Sequence, residues 1–197
     1  MPYLKREAPC PEPLDCRILT AALDLFVERG YHNVSVHHIQ KQSDVSIGSI
    51  YKHFGGKEGI AKALYEHILN ELDELIDDVL NTHDSPTEQC KEIIKQLFEH
   101  TETHQHIIAY LFHTKHTHFL PNAPLMCDTA PFIKIRDIIQ TGIQRGEFKD
   151  MNIWVATAGI FGAPVRMIQL RLDGLIEKPL IEYYDEIVNA TWGGFKK

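Results

Sequence analysis

At 197 residues, 44% apolar and 24% charged, the chain can bury its own core, yet its charges interrupt every run short of the roughly 18–20 apolar residues of a membrane span. A net charge of −7 excludes attraction to polyanions by bulk electrostatics. Residues 1–7 lead into no apolar signal stretch and Cys10, Cys16, Cys90 and Cys127 form no CxxC pair, so reduced thiols and a cytoplasmic chain with no membrane partner are expected.

Residues 1–13, with Pro2, Pro9, Pro11 and Pro13, read as an extended arm. From Leu14 onward helical periodicity dominates, and no run of period-two alternation follows. A first helix over 14–29 carries Leu19, Ala22, Leu23 and Phe26 on one face, and Gly30 supplies its stop. Ser35 is placed to cap a short second helix over 36–42, and Ser46 a third over 47–54 that ends at Gly55-Gly56. The fourth helix starts at Lys57 and runs to about residue 80 on Ile60, Leu64, Ile68, Leu72, Leu75, Ile76 and Val79.

Ser85-Pro86-Thr87-Glu88 predicts a fresh start, with Ser85 as cap and Glu88 reaching back. The fifth helix then buries Cys90, Ile93, Ile94, Leu97 and Phe98. A sixth covers 104–115, a Pro-rich loop follows at 120–125, and a seventh covers 131–145 up to Gly146. The eighth, 152–172, contains Pro164 and should kink there; the ninth opens at Pro179 and reaches about 192. The fold class is therefore all-α, about nine helices with no sheet.

Two short helices joined by a tight turn and propped on a longer one have the layout of a helix-turn-helix. Its second helix enters the DNA major groove while the first crosses the backbone. Val36, Ile39, Val45, Ile50 and Phe54 are placed to pack the pair. Ser46, Ser49, Tyr51, Lys52 and His53 project outward, offering hydroxyls, a cation and an imidazole. The start of the fourth helix at Lys57 adds free N–H groups suited to a phosphate. Residues 1–60 hold seven Lys/Arg and seven Asp/Glu, so this head is neutral and the remainder carries the whole −7. DNA affinity must then rest on a few well-placed groups.

The stretch from Ile18 to Ile60 resembles the N-terminal signature of the TetR family. The most telling pieces are Ala22, Phe26, Gly30-Tyr31, the run Val45-Ser46-Ile47-Gly48-Ser49-Ile50-Tyr51-Lys52-His53-Phe54, and Lys57-Glu58. The resemblance covers about residues 14–68; beyond it only the architecture is similar. It implies three divisions: an arm (1–13), a three-helix DNA-binding domain (14–56) and a helical bundle for ligand binding and dimerisation (57–197). It also implies a homodimer that binds a palindromic double-stranded operator, as a repressor, and is released by a small, largely hydrophobic effector. Carried over by position, DNA contacts fall on Ser35, Ser46, Ile47, Ser49, Tyr51, Lys52, His53 and Lys57. Gln40, Ser43 and Asp44 depart from the family, which has two alanines and a turn glycine there. Asp tolerates left-handed backbone, so the turn is expected to survive. Ile47 also departs, offering only apolar contact.

In the bundle, small residues on helix eight (Ala156, Gly159, Ile160, Gly162, Ala163, Met167) and a row on helix nine (Leu180, Tyr184, Ile187, Val188, Thr191) are candidates for pairing with a second copy, and equally for monomer core. Candidate effector-lining residues are Phe98, Ile108, Tyr110, Leu111, Phe112, Phe132, Ile135, Ile139, Trp154, Phe161 and Met167, with Arg166 as an anchor for an acidic group. Plain core is the competing reading for each apolar member. Five histidines crowd 104–118 near Cys127, but no third ligand stands at a recognised spacing, so no metal and no cofactor is expected.

Two rival functions remain at this point: an enzyme with a histidine-rich metal centre, and a helical adaptor without DNA binding. HExxH, paired ExxH, P-loop and GxSxG motifs are all absent, which argues against an enzyme.

Overall fold

The computed structural model describes residues 3–4 and 12–195. Most of the predicted proline arm and Cys10 lie outside them. Among the described residues the chain is all-helical, with no extended strand: α1 Leu14–Arg29, α2 Val36–Ser43, α3 Ile47–Phe54, α4 Lys57–Thr82, α5 Pro86–Thr103, α6 Gln105–His113, α7 Ala130–Gln144, α8 Ile153–Leu172 and α9 Tyr184–Phe195. Short 3₁₀ turns occupy Tyr31–Asn33, His116–His118, Met126–Asp128 and Leu180–Tyr183. The last of these turns replaces the predicted first turn of helix nine, because Pro179 starts a tighter coil before α9 begins.

Two compact units share the chain. The first takes residues 1–71 and 106–125. Its core is built from Ile18, Ala22, Leu25 and Phe26 of α1, Ile39 of α2, Ile50 of α3, Ile60, Leu64 and Ile68 of α4, and Ile108 and Tyr110 of α6. Tyr110 is wholly buried, and its hydroxyl donates to the Ala61 carbonyl (3.3 Å). Burial, then the neighbouring Tyr65 and Tyr31, pushes that phenol far above its ordinary range, so it stays a neutral donor. Leu4 is also buried, and its N–H donates to Oε2 of the buried Glu71 (2.9 Å).

The second unit takes residues 72–105 and 126–197. In it α5 packs on α7 and α8, and α8 packs on α9. The predicted capping box of α5 is not what forms. Ser85 makes no cap bond; its hydroxyl donates to Glu147 Oε2 (2.7 Å), and the Thr87 N–H donates to the same oxygen (3.0 Å). Glu88 instead pairs with Lys91 (2.9 Å). An ionised carboxylate at a helix N-terminus meets both the free N–H groups and the dipole, so it displaces the weaker local cap.

A second carboxylate, Glu102, locks the approach to α9. It receives Arg171 through Nε and Nη2 (3.0 and 2.8 Å) and the Leu180 N–H (3.2 Å). The Arg171 bonds hold its carboxyl below the usual range.

Helix α8 is long and apolar enough, by length and composition alone, to cross a membrane, yet only 28% of that apolar window is buried within the protomer. Ala156, Ile160, Phe161, Pro164 and Ile168 face inward, whereas Val155, Ala158, Gly162, Ala163 and Arg166 face out. The candidate pairing row divides between these two sides. Ala156 and Ile160 belong to the monomer core, and the Phe195 ring covers Gly159 so closely that a Cβ there would stand 1.9 Å from it. On α9 and the turn before it, Leu180 and Thr191 are likewise buried, while Tyr184, Ile187 and Val188 are half-buried.

Candidate nucleic-acid interface

The α2–α3 pair is set by three local devices. Ser35 caps α2: its Oγ accepts the His38 N–H (3.3 Å), and its own N–H donates to His38 Nδ1 (3.2 Å). A histidine thus takes the role that Glu or Gln fills in the usual capping box. Ser46 caps α3, accepting the Ser49 N–H (3.2 Å), with the two hydroxyls 2.9 Å apart.

Between the helices, Asp44 adopts the expected left-handed conformation (φ 52°, ψ 42°). Nothing local in the sequence marks what holds it there. Arg17 of α1 reaches the Ser43 and Asp44 carbonyls (2.6 and 3.0 Å) and Asp44 Oδ2 (3.5 Å). The guanidinium fork supplies donors that the turn lacks and offsets the strain of a non-glycine residue there.

With the pair fixed, Tyr51, Lys52 and His53 stand exposed on α3, Tyr51 at 52%, while Ile50 is fully buried behind them. Ser46 is also exposed, and Ile47, Ser49 and Ser35 are half-buried. The helix thus has one apolar side sealed into the core and one polar side wet.

Lys57 sits differently from its sequence-based expectation as a phosphate contact. Its Nζ donates to the Tyr31 and Val34 carbonyls (3.0 and 2.8 Å) and lies 4.1 Å from the Tyr31 ring centroid. Burial lowers its pKa below the ordinary lysine value and raises that of Tyr31. The side chain ties the α1–α2 connection to the start of α4, leaving the backbone of that first turn as the polar surface. At the same joint, a Cβ on Gly59 would stand 1.7 Å from the Phe54 carbonyl oxygen.

Sequence reading missed an aromatic column behind this face. Phe26, Tyr31 and Phe119 follow one another at 5.2 and 4.2 Å between centroids, the second pair stacked. His116 continues it toward Tyr65 (4.6 Å) and Tyr110 (4.7 Å). Only 7% of His116 is exposed, and its Nε2 has no hydrogen-bond partner. Burial pushes its pKa from 6.5 down to about 4, against a smaller opposing effect of the Tyr110 backbone.

A depressed histidine pKa means that the unfolded chain takes the proton first. Stability from the neutral ring is complete above pH 6.5 and is lost as pH falls toward 4. Urea titrations should find about 2 kcal/mol less stability from this group at pH 5 than at pH 7. His116→Phe should flatten that part of the profile; an unchanged slope in the variant would refute the assignment.

The candidate effector residues divide between the two units. Ile108, Tyr110, Leu111 and Phe112 lie in the first unit, the first three as buried core. Phe98, Phe132, Ile135, Ile139, Phe161 and Met167 lie in the second, with Phe132 and Met167 half-buried. Trp154 and Arg166 stand at the surface of the protomer. Trp154 is 54% exposed beneath the Arg136 guanidinium (4.7 Å to the ring), and Arg166 is exposed with Gln169 as its partner (3.3 Å). Two recesses in the first unit, about 930 and about 310 Å³, are lined by none of the twelve.

Among the described residues no group of three or more His, Cys, Asp or Glu side chains is placed to hold a metal ion. Cys16, Cys90 and Cys127 form no disulfide, and burial pushes the Cys90 thiol far up, away from the reactive thiolate.

Residues 18–64 match the profile of the family described as bacterial regulatory proteins, tetR family. The chain is similar to the fatty acid metabolism regulator protein of Bacillus subtilis, 26% identical over 153 residues, which span 76% of this chain and 79% of that protein. In fold it is similar to a TetR family transcription regulator from Marinobacter aquaeolei (TM-score 0.79, 18% identity, 93% and 96% of the two chains). It is likewise similar to the transcriptional regulator FadR from Bacillus subtilis in complex with stearoyl-CoA (TM-score 0.69, 22% identity, 90% and 97%).

Proposed function

The chain belongs to the TetR family of DNA-binding transcriptional regulators, and from that premise we propose that it is a cytoplasmic homodimeric repressor, released from a palindromic operator by a small, largely hydrophobic effector. One observation carries the DNA reading: α3 seals Ile50 into the core and presents Tyr51, Lys52 and His53 to solvent, on a turn clamped by Arg17. Base and phosphate contacts are assigned to Ser35, Ser46, Ile47, Ser49, Tyr51, Lys52 and His53, and to the backbone around Lys57. Residues 14–56 act as the reading head and 57–197 as the sensing and dimerising body.

The dimer reading is supported by α8. An apolar helix so sparsely covered in its own protomer needs a partner, and Gly162 and Ala163 let a second helix approach closely. The effector reading is supported by Phe98, Phe132, Ile135, Ile139, Phe161 and Met167, apolar groups of one compact unit. It is also supported by relatives whose names concern fatty acid metabolism and a stearoyl-CoA complex.

The test is fluorescence anisotropy with labelled DNA flanking the protein's own gene, followed by titration with stearoyl-CoA and with free stearate. Binding at low salt that micromolar acyl ligand reverses is the expected result. Folded protein that binds none of the flanking DNA would refute the regulator. Binding that neither ligand reverses would refute the acyl effector alone.

A further inference from the structure

The sequence from Gln105 to Cys127 contains no Asp or Glu, but it holds Lys115 and four histidines. The fold brings part of this acid-free stretch against the end of α1. There it encloses a recess of about 310 Å³. Phe26, Ala109 and Phe119 line it with apolar surface, beside Tyr31. His32, His113, Lys115 and His118, all exposed, line it with basic groups. No carboxylate is among the described residues that line it. Lys57 lies over the face of the Tyr31 ring, and Glu58 acts on the same ring electrostatically.

We propose that this recess binds a small amphiphilic organic anion, an aromatic carboxylate in chemical class, at a site separate from the effector site of the body. The apolar surface takes the flat ring and excludes water from it. The basic groups receive the carboxylate: Lys115 brings an ammonium group and the three histidines bring ring N–H donors. Four basic side chains around one recess also repel one another as they charge, and a bound anion relieves that repulsion. An occupant touches both Gly30–His32, at the end of α1, and the residues that follow α6. It therefore joins the DNA-reading end of the chain to a segment some eighty residues away.

The full-length protein, without DNA, is titrated with benzoate while histidine-ring NMR signals are followed at about pH 6 and about pH 8. Benzyl alcohol supplies the ring without the charge, and inorganic phosphate the charge without the ring. Signals of His32, His113 and His118 should shift saturably with benzoate at roughly millimolar Kd, at least about fivefold tighter at the lower pH. Lys115→Gln and His118→Gln, at exposed positions, should each weaken binding by at least about threefold. Ala109→Leu, which fills the apolar side, should abolish it. The site is overturned if benzyl alcohol saturates the same signals equally, if phosphate does so alone, if His37 and His53 shift in parallel, or if nothing moves. None of these readouts depends on operator binding, so failure of the regulator reading leaves this test intact.

Discussion

Tyr51→Ala and Lys52→Ala each lower operator affinity by about 100-fold or more while leaving the unfolding temperature and the dimer unchanged. The size follows from the proposed symmetry: a homodimer would present each residue twice, and a lost base or phosphate contact costs about 1–3 kcal/mol per copy. The two variants separate by salt. Removing two lysine–phosphate contacts should flatten the slope of log affinity against log salt by about 1.8, whereas loss of the tyrosine should leave that slope almost untouched. Structural side effects are small because Tyr51 and Lys52 are exposed and Ile50 alone seals the helix to the core. Wild-type affinity in both variants, or unfolding of both, would count against α3 as the reading helix.

Gly59→Ala is expected to destabilise the protein by about 2–4 kcal/mol and to lower the unfolding temperature by about 5–10 °C. The position looks innocuous, one turn into a long helix where alanine is ordinarily the better residue. Yet its Cβ would lie 1.7 Å from the Phe54 carbonyl oxygen, and backbone cannot yield as a flexible side chain can. The chain has just turned through Gly55 and Gly56, both at positive φ, so relief must come from moving α3 against α4. Operator affinity should therefore fall more than the loss of folded population explains. Calorimetry with anisotropy on the same sample checks both. An alanine variant as stable as wild type would show that the joint relaxes freely.

Features set within a few residues were legible in the sequence. Ser35 and Ser46 announced their helices, Asp44 took the left-handed turn, and the row Tyr51-Lys52-His53 came out on the wet side of α3. Features set by distant partners were not. Glu147 caps a helix that starts sixty residues earlier, and no local pattern distinguishes it from any other surface acid. Phe119 stacks on Tyr31 and Arg17 grips the α2–α3 turn for reasons that only the fold supplies. Helix α8 misled for a related cause. It is apolar on nearly every side, so periodicity could not say which small residues face its own core and which face out. Lys57 was placed at the correct end of α4, but its side chain was given to phosphate, and two carbonyls hold it.

A ribosome makes the first unit in two instalments. Its α1, α2, α3 and the first half of α4 emerge early, but Tyr110, whose hydroxyl meets Ala61, follows 49 residues behind it. At roughly 5–20 residues per second, the nascent head waits several seconds with Ala61 and Tyr65 still without Tyr110 and His116. The helix-turn-helix is thus no cassette to be excised and grafted elsewhere. A fragment ending at Glu71 would carry the exposed side chains of α3 without the segment that supplies Tyr110 and His116, and chaperones should hold such fragments rather than let them fold.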